Sequence, residues 1–544
     1  MKTTRDGVLL LLMLFLLSES LLSQEMLVPL GAMSKDETIL SKKDTTSIGF
    51  RGTGFFPVTQ GEIEDVYYNK EDTLKQNYSW LRRKLHFHKF DEHFVSIKGD
   101  DYFFAIDPLF NVALGVERGI EENTLFQNTR AFQVTGEVMG KVSFFTSFHE
   151  NQARFASYQT AFFDDRGERR YVEDSAYYDN IHPVIPAGGR TKPFKEDALD
   201  YSASASYIRY RPSDHFAVQF GNTPNFIGWG HRSMLLSDNS FNATTLRMDA
   251  KLSDKWSYTT LNSKHLNVYR RISKLDGVTF INMVEEPYEK KNYSGHYLSY
   301  QPTERLTLSF FEATVFFRDD SIYSQWMHPL YFNPIPGVNT AVFGWENEVA
   351  KSLLGLNFAW NVGKNHLIFG QFVTDQLGNR NEYGIQLGFR SRNLFNIKNL
   401  SIHGEFNKAS QYLYAANNQR IAYTHYNFPL AHTLGNGFEE LIGRLTYHHN
   451  NFYLQLQGVL YQSDQPIENQ THLFASKEKP SNIDKHTVLV NEAEVGYRFN
   501  TKTNLRLFTK VIYRMSEGES SGQRNTGLVF FGLKTGIFNQ YTDF

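Results

Sequence analysis

The chain stays apolar to its last residue: from Leu528 it reads LVFFGLKTGIFNQYTDF and stops at Phe544. Phe530, Phe531, Leu533, Ile537, Phe538, Tyr541 and Phe544 run through this stretch, where the terminus of a soluble domain ordinarily becomes polar and frayed. One expectation for the stretch is the closing strand of a β-barrel. The competing reading is a soluble β domain whose last edge strand happens to end in Phe.

The other end bears on that choice. Lys2 and Arg5 precede an apolar run from Val8 to Leu17, and small and polar residues follow around Ser23 and Gln24. This is the pattern of a cleavable secretory signal over residues 1–23. The residue after the expected cleavage point is not Cys, which excludes a lipoprotein anchor, and the 544 residues contain 0 Cys. Disulfides, thiolate metal sites and a Cys nucleophile are thereby excluded, and export without cysteine suits a bacterial envelope protein. Past the signal no stretch approaches the roughly 18 apolar residues of a helical span. The chain resembles bacterial outer-membrane barrels in ending on an aromatic residue, and the resemblance implies that Leu528–Phe544 is the closing seam of a barrel and the segment read by the insertion machinery.

Composition agrees. With 30 Tyr and 46 Phe the chain is 15% aromatic, yet only 41% of residues are hydrophobic and mean hydropathy is -0.43. A barrel needs apolar side chains on one face of each strand only, with aromatic girdles and a polar interior. A net charge of -2 gives no reason to expect nucleic acid as a partner.

Residues 24–91 form a separate amino-terminal segment, periplasmic or plugging the barrel, in which Leu74, Tyr78, Leu81 and Leu85 have the spacing of a short amphipathic helix. From His93 the period becomes two: Phe132, Val134 and Val138 alternate with Gln133, Thr135 and Glu137, and the pattern recurs in YSASASYIRY, FAVQF, LTLSF, FYLQL and LRLFTKVIY. RPSD, QPTER, LGNRNE and YHHNN mark turns between them. The expectation is an all-β fold, a large antiparallel transmembrane barrel over residues 92–544, with about 16 to 20 strands and 18 favoured. The long connections Asp164–Asp200 and Asp464–Asp484 would lie outside the cell or fold into the pore.

The most distinctive sequence is central: FHENQARFASYQ at Phe148, then DYSASASYIRYRPSDHFAVQFGNTPNFIGWGHRSMLLSDNS from Asp200. With PLYFNPIPG at Pro329, LLGLNFAW, FGQFVTDQ and YTHYNFPLAHTLGNGFEE, it resembles the capsule-assembly Wzi family, especially the Bacteroidetes branch that includes the gliding-motility protein RemB. The resemblance covers most of the mature chain. It implies a monomeric outer-membrane barrel in contact with outer-membrane lipid, without cofactor, that holds surface polysaccharide as a lectin-like anchor rather than an enzyme. Envelope or motility proteins would be further partners.

The residues themselves offer candidates for a sugar site. Trp229 can stack on a sugar ring, and Arg232 and Asp238 can hydrogen-bond hydroxyls; Arg154, Trp345 and Glu346 are similar candidates. The purely structural reading is a bulged strand with a girdle Trp and a lumen ion pair between Arg232 and Asp238, with Arg154 beside Glu150, and Trp345 beside Glu346 and Glu348, as lumen lining. A diffusion porin is the competing function. A hydrolase is weaker, since no G-x-S-x-G elbow surrounds Ser233 or Ser237, although His425 and His432 are available. His86-x-His88 lacks a third ligand for metal, and Asp100–Asp101 and Asp164–Asp165 read as turns.

Overall fold

The computed structural model describes residues 26–31, 53–59, 93–119, 122–172, 177–270, 274–275, 278–279, 288–317, 329–376, 382–466, 483–519 and 522–544. The secretory signal, the Leu74–Leu85 helix pattern and His86-x-His88 lie outside these residues.

Eighteen strands form a closed antiparallel barrel in sequence order. They are β1 (Tyr102–Gly119), β2 (Asn123–Val138), β3 (Val142–Arg154), β4 (Ala198–Ser213), β5 (Phe216–Gly221) and β6 (Thr244–Lys251). Then come β7 (Trp256–Arg270), β8 (Tyr288–Thr303), β9 (Leu306–Phe316), β10 (Ala350–Asn361), β11 (His366–Gln376) and β12 (Glu382–Arg392). The circle finishes with β13 (Leu400–Ala409), β14 (Phe438–His449), β15 (Phe452–Pro466), β16 (Ile483–Asn500), β17 (Leu505–Gly518) and β18 (Gly522–Lys534). The seam joins β18 to β1, from Thr526 opposite Gly119 to Lys534 opposite Asn111. Connections alternate: tight turns such as Met139–Lys141 and Glu304–Arg305 lie at one end, and the long segments 155–172, 177–197, 222–243, 329–349 and 410–437 lie at the other.

The two-residue period sorts the side chains as a barrel in hydrocarbon requires. Val112, Leu114 and Val116 of β1 and Val529 and Phe531 of β18 are exposed on the outside, whereas Ala113, Leu528 and Phe530 are buried inside. The polar partners in the sequence, Gln133 and Glu137, also face inward and are buried.

The aromatic tail is not part of the wall, contrary to the sequence expectation. β18 ends at Lys534, and Thr535 ties off the strand by donating its amide to the Phe110 carbonyl at 2.8 Å. Residues 535–544 then run up the lumen toward the long-connection end. Polar groups in the tail explain the turn inward. Asn539 and Tyr541 both donate to the Asp238 carboxylate at 2.7 Å, and Gln457 of β15 donates to Asp543 at 2.8 Å. Such groups would lack partners in lipid. Phe544 stacks on Phe162 of α1 (Ser157–Asp165) with 3.6 Å between ring centroids. Asp164 and Asp165 thus close a helix and do not form a turn.

The filled lumen as candidate functional site

The connection between β5 and β6, residues 222–243, also enters the barrel. Phe226–Ile227 pairs antiparallel with Phe55–Phe56 of the amino-terminal segment, and Phe226, Ile227, Trp229, Met234 and Leu235 are fully buried. Glycine permits this close fit: Gly228 has φ 125°, and a Cβ on Gly230 would come within 2.6 Å of the Glu405 carboxylate. The connection 410–437 packs beside it. Tyr414 and Tyr423 donate their hydroxyls to the carbonyls of Met234 and Leu235 at 2.7 and 2.8 Å. Two cavities beside these segments hold about 40 Å³ each, space for one or two waters.

Charge is concentrated where the three segments meet the wall. Arg232 pairs with Asp543 of the tail at 2.9 Å and with Glu440 of β14 at 3.2 Å. His432 and Asn407 complete the Glu440 shell at 2.7 and 2.9 Å. Glu405 of β13 takes the backbone amides of His231 and Arg232 at 2.5 and 3.1 Å, together with Gln386, His403 and Asn407. His231 lies 3.3 Å from Asp543 and 2.9 Å from Arg444. A buried charge is tolerable only when paired and hydrogen-bonded in this way, so the network fixes the tail and the 222–243 segment to one wall.

The network also predicts acid sensitivity. Burial, aided by Arg444, pushes His231 down to about 4. Burial alone would raise Asp543, but Arg232 and His231 hold it well below the usual carboxylate range. Both groups bind protons more readily once released, so stability increases with pH. The His231 contribution is complete above its ordinary value near 6.5 and falls as pH drops toward 4; the Asp543 contribution is complete above its ordinary value near 3.8 and is lost only as pH falls well below it. An acid-tolerant carboxypeptidase should therefore release Phe544 much faster at pH 4 than at pH 7. Equal rates would show that protonation does not loosen the tail.

The sequence candidates separate into two sets. Trp229, Arg232 and Asp238 lie inside the filled lumen, with Trp229 fully buried against Phe56 rather than in an interfacial girdle. Arg232 and Asp238 do not pair as expected; Tyr541 stands between them, bonded to Asp238 and 5.2 Å below the Arg232 guanidinium. Arg154 and Glu150 do not line the lumen, because alternation along β3 turns them outward while Ser147, His149 and Asn151 are buried inside. The Arg154 guanidinium donates to the carbonyls of Glu196 and Thr124 at 2.9 and 3.4 Å. Trp345 and Glu346 lie in the approach to β10 at the same end of the barrel, seven strands away, where Glu346 accepts the Asn417 amide at 2.6 Å. Asp543, Glu440 and Glu405 were missed. For two of them the signal was legible as His403-x-Glu405-x-Asn407 and Glu440-x-x-x-Arg444, polar residues repeating on the inward face.

No family model matches this chain, and no curated protein does. Several solved structures are similar to it. The chain is similar to Wzi of Escherichia coli, described as an outer-membrane carbohydrate-binding β-barrel involved in group 1 capsule assembly, at 11% identity and TM-score 0.46, covering 92% of this chain and 96% of that one. Similarity to OprD of Pseudomonas aeruginosa is 9% identity with TM-score 0.39, over 80% of this chain and 96% of that one. OccK2 of the same organism, solved with glucuronate, gives 9% identity and TM-score 0.39 over 80% and 98%.

Proposed function

We propose that this protein is an outer-membrane barrel that anchors or organises surface polysaccharide at its long-connection rim rather than conducting solutes. The filling of the lumen by segments 222–243, 410–437 and 535–544 carries this reading, since it leaves the rim as the surface open to a polymer. The apolar outer face supports the membrane placement, and the sequence resemblance supports the polysaccharide. On this reading Arg154, Trp345 and Glu346 meet the glycan at the long-connection rim, while Trp229, Arg232 and Asp238 hold the plug. A hydrolase is not favoured: the Ser233 hydroxyl donates to the Ile227 carbonyl at 2.5 Å and accepts the Leu235 and Leu236 amides, and His432 is engaged by Glu440.

Purified protein in planar bilayers should pass no steady current, while cells lacking it should lose surface glycan or spread differently on agar. Trp345→Ala or Arg154→Ala should weaken glycan retention about tenfold, the equivalent of roughly 1.4 kcal/mol. Steady conductance from the intact protein, with unchanged surface glycan in its absence, would support the porin instead.

A further inference from the structure

The outer face of β7 to β10 departs from the rest of the apolar belt. Leu261, Tyr293, Tyr297, Phe311, Ala313 and Leu353 pack into the lumen core, so alternation turns Asn262, Ser294, His296, Glu312, Thr314 and Ser352 outward. Strand register sets them side by side: Asn262 opposite Ser294, His296 opposite Glu312, and Thr314 opposite both Ser294 and Ser352. On the same face Leu308 and Leu356 are 42% and 55% exposed, yet none of these six polar residues exceeds 5%.

The segment 329–344 covers them by folding down the outside of the wall. Glu312 is its anchor, accepting the Gly337 and Thr340 amides at 2.5 and 2.8 Å and the Thr340 hydroxyl at 2.6 Å, at the start of α2 (Val338–Phe343). Asn262 donates to the Tyr331 carbonyl, and the Tyr258 hydroxyl donates to the Pro334 carbonyl at 2.7 Å. Tyr331 and Phe343 pack on Phe316 and Ala350.

The opposite side of the segment is apolar, with Phe332, Ile335 and Val342 at 52%, 59% and 60% exposure. Residues 329–344, PLYFNPIPGVNTAVFG, contain no charged residue in a chain that is 21% charged. We propose that this segment is a membrane-embedded strap, whose outer side meets the acyl chains of the bilayer and whose inner side seals a polar strip of the wall from them. The absence of charge, continuity with Leu308 and Leu356, and backbone polar groups turned toward Glu312 and Asn262 all favour hydrocarbon as the occupant. Irregular backbone at that depth needs protein partners of this kind.

The inference rests on the membrane-spanning reading, and the test separates the two. The cysteine-free chain permits single nitroxide labels after Ile335→Cys, Val342→Cys, Leu114→Cys and Phe395→Cys. In phosphatidylcholine vesicles, labels at 335 and 342 should match the belt position 114, with several-fold greater accessibility to oxygen than to a water-soluble nickel complex. The label at 395, in a tight turn, should show the reverse. Nickel accessibility at 335 and 342 with a lipid-exposed 114 would overturn the strap alone, as would protection from both reagents, which would mean a protein covers it. Nickel accessibility at 114 would overturn the spanning reading itself.

Discussion

Arg232→Met is expected to destabilise the protein by about 3–5 kcal/mol, measured as a fall in resistance to guanidinium unfolding in detergent. The methionine fills similar space but leaves Asp543 and Glu440, both buried, without the cation that pairs with each at 2.9 and 3.2 Å. Each carboxylate would have to accept a proton or draw in water, and the tail would lose its principal tether. The Asp543→Asn change alone should cost less, because Glu440 still neutralises Arg232. A loss under about 1 kcal/mol for Arg232→Met would show that water already reaches the cluster.

Removing residues 536–544 should turn a sealed barrel into a leaky one. The wall should still close, since the seam pairs β18 with β1 only as far as Lys534. The lumen, however, would lose the Tyr541 and Asn539 bonds to Asp238, the Asp543 ion pair and the Phe544 stack on Phe162. Steady current steps in planar bilayers should appear for the truncated protein and not for the full chain. If the truncated barrel remained silent, segments 222–243 and 410–437 would be sufficient to seal it.

The wall was legible in the sequence because burial in a barrel follows the period of the strand. Phe132-Gln133-Val134 declares its inward and outward faces without reference to any distant residue, and the strand count follows from the spacing. What fills the wall was not legible, since segments 222–243 and 535–544 are determined by partners hundreds of residues away. Trp229 reads as a girdle residue until Phe56 is placed against it, and Phe544 reads as a wall residue until Phe162 is. Asp543 did offer a local hint, being a carboxylate that a lipid-facing strand would not accommodate. The uncharged run at Pro329 offered another, although nothing local told that it would fold along the exterior rather than into the pore.

The tail is continuous with β18, so its path has a bearing on assembly. Asp543 can reach Arg232 only from a final stave already in place beside β17, and Arg232 is held for it by β13 and β14 on another arc of the circle. One ion pair therefore reports on both halves of the cylinder. An incomplete barrel would lack it, and an unfinished molecule would be distinguishable from a finished one by the state of a single arginine.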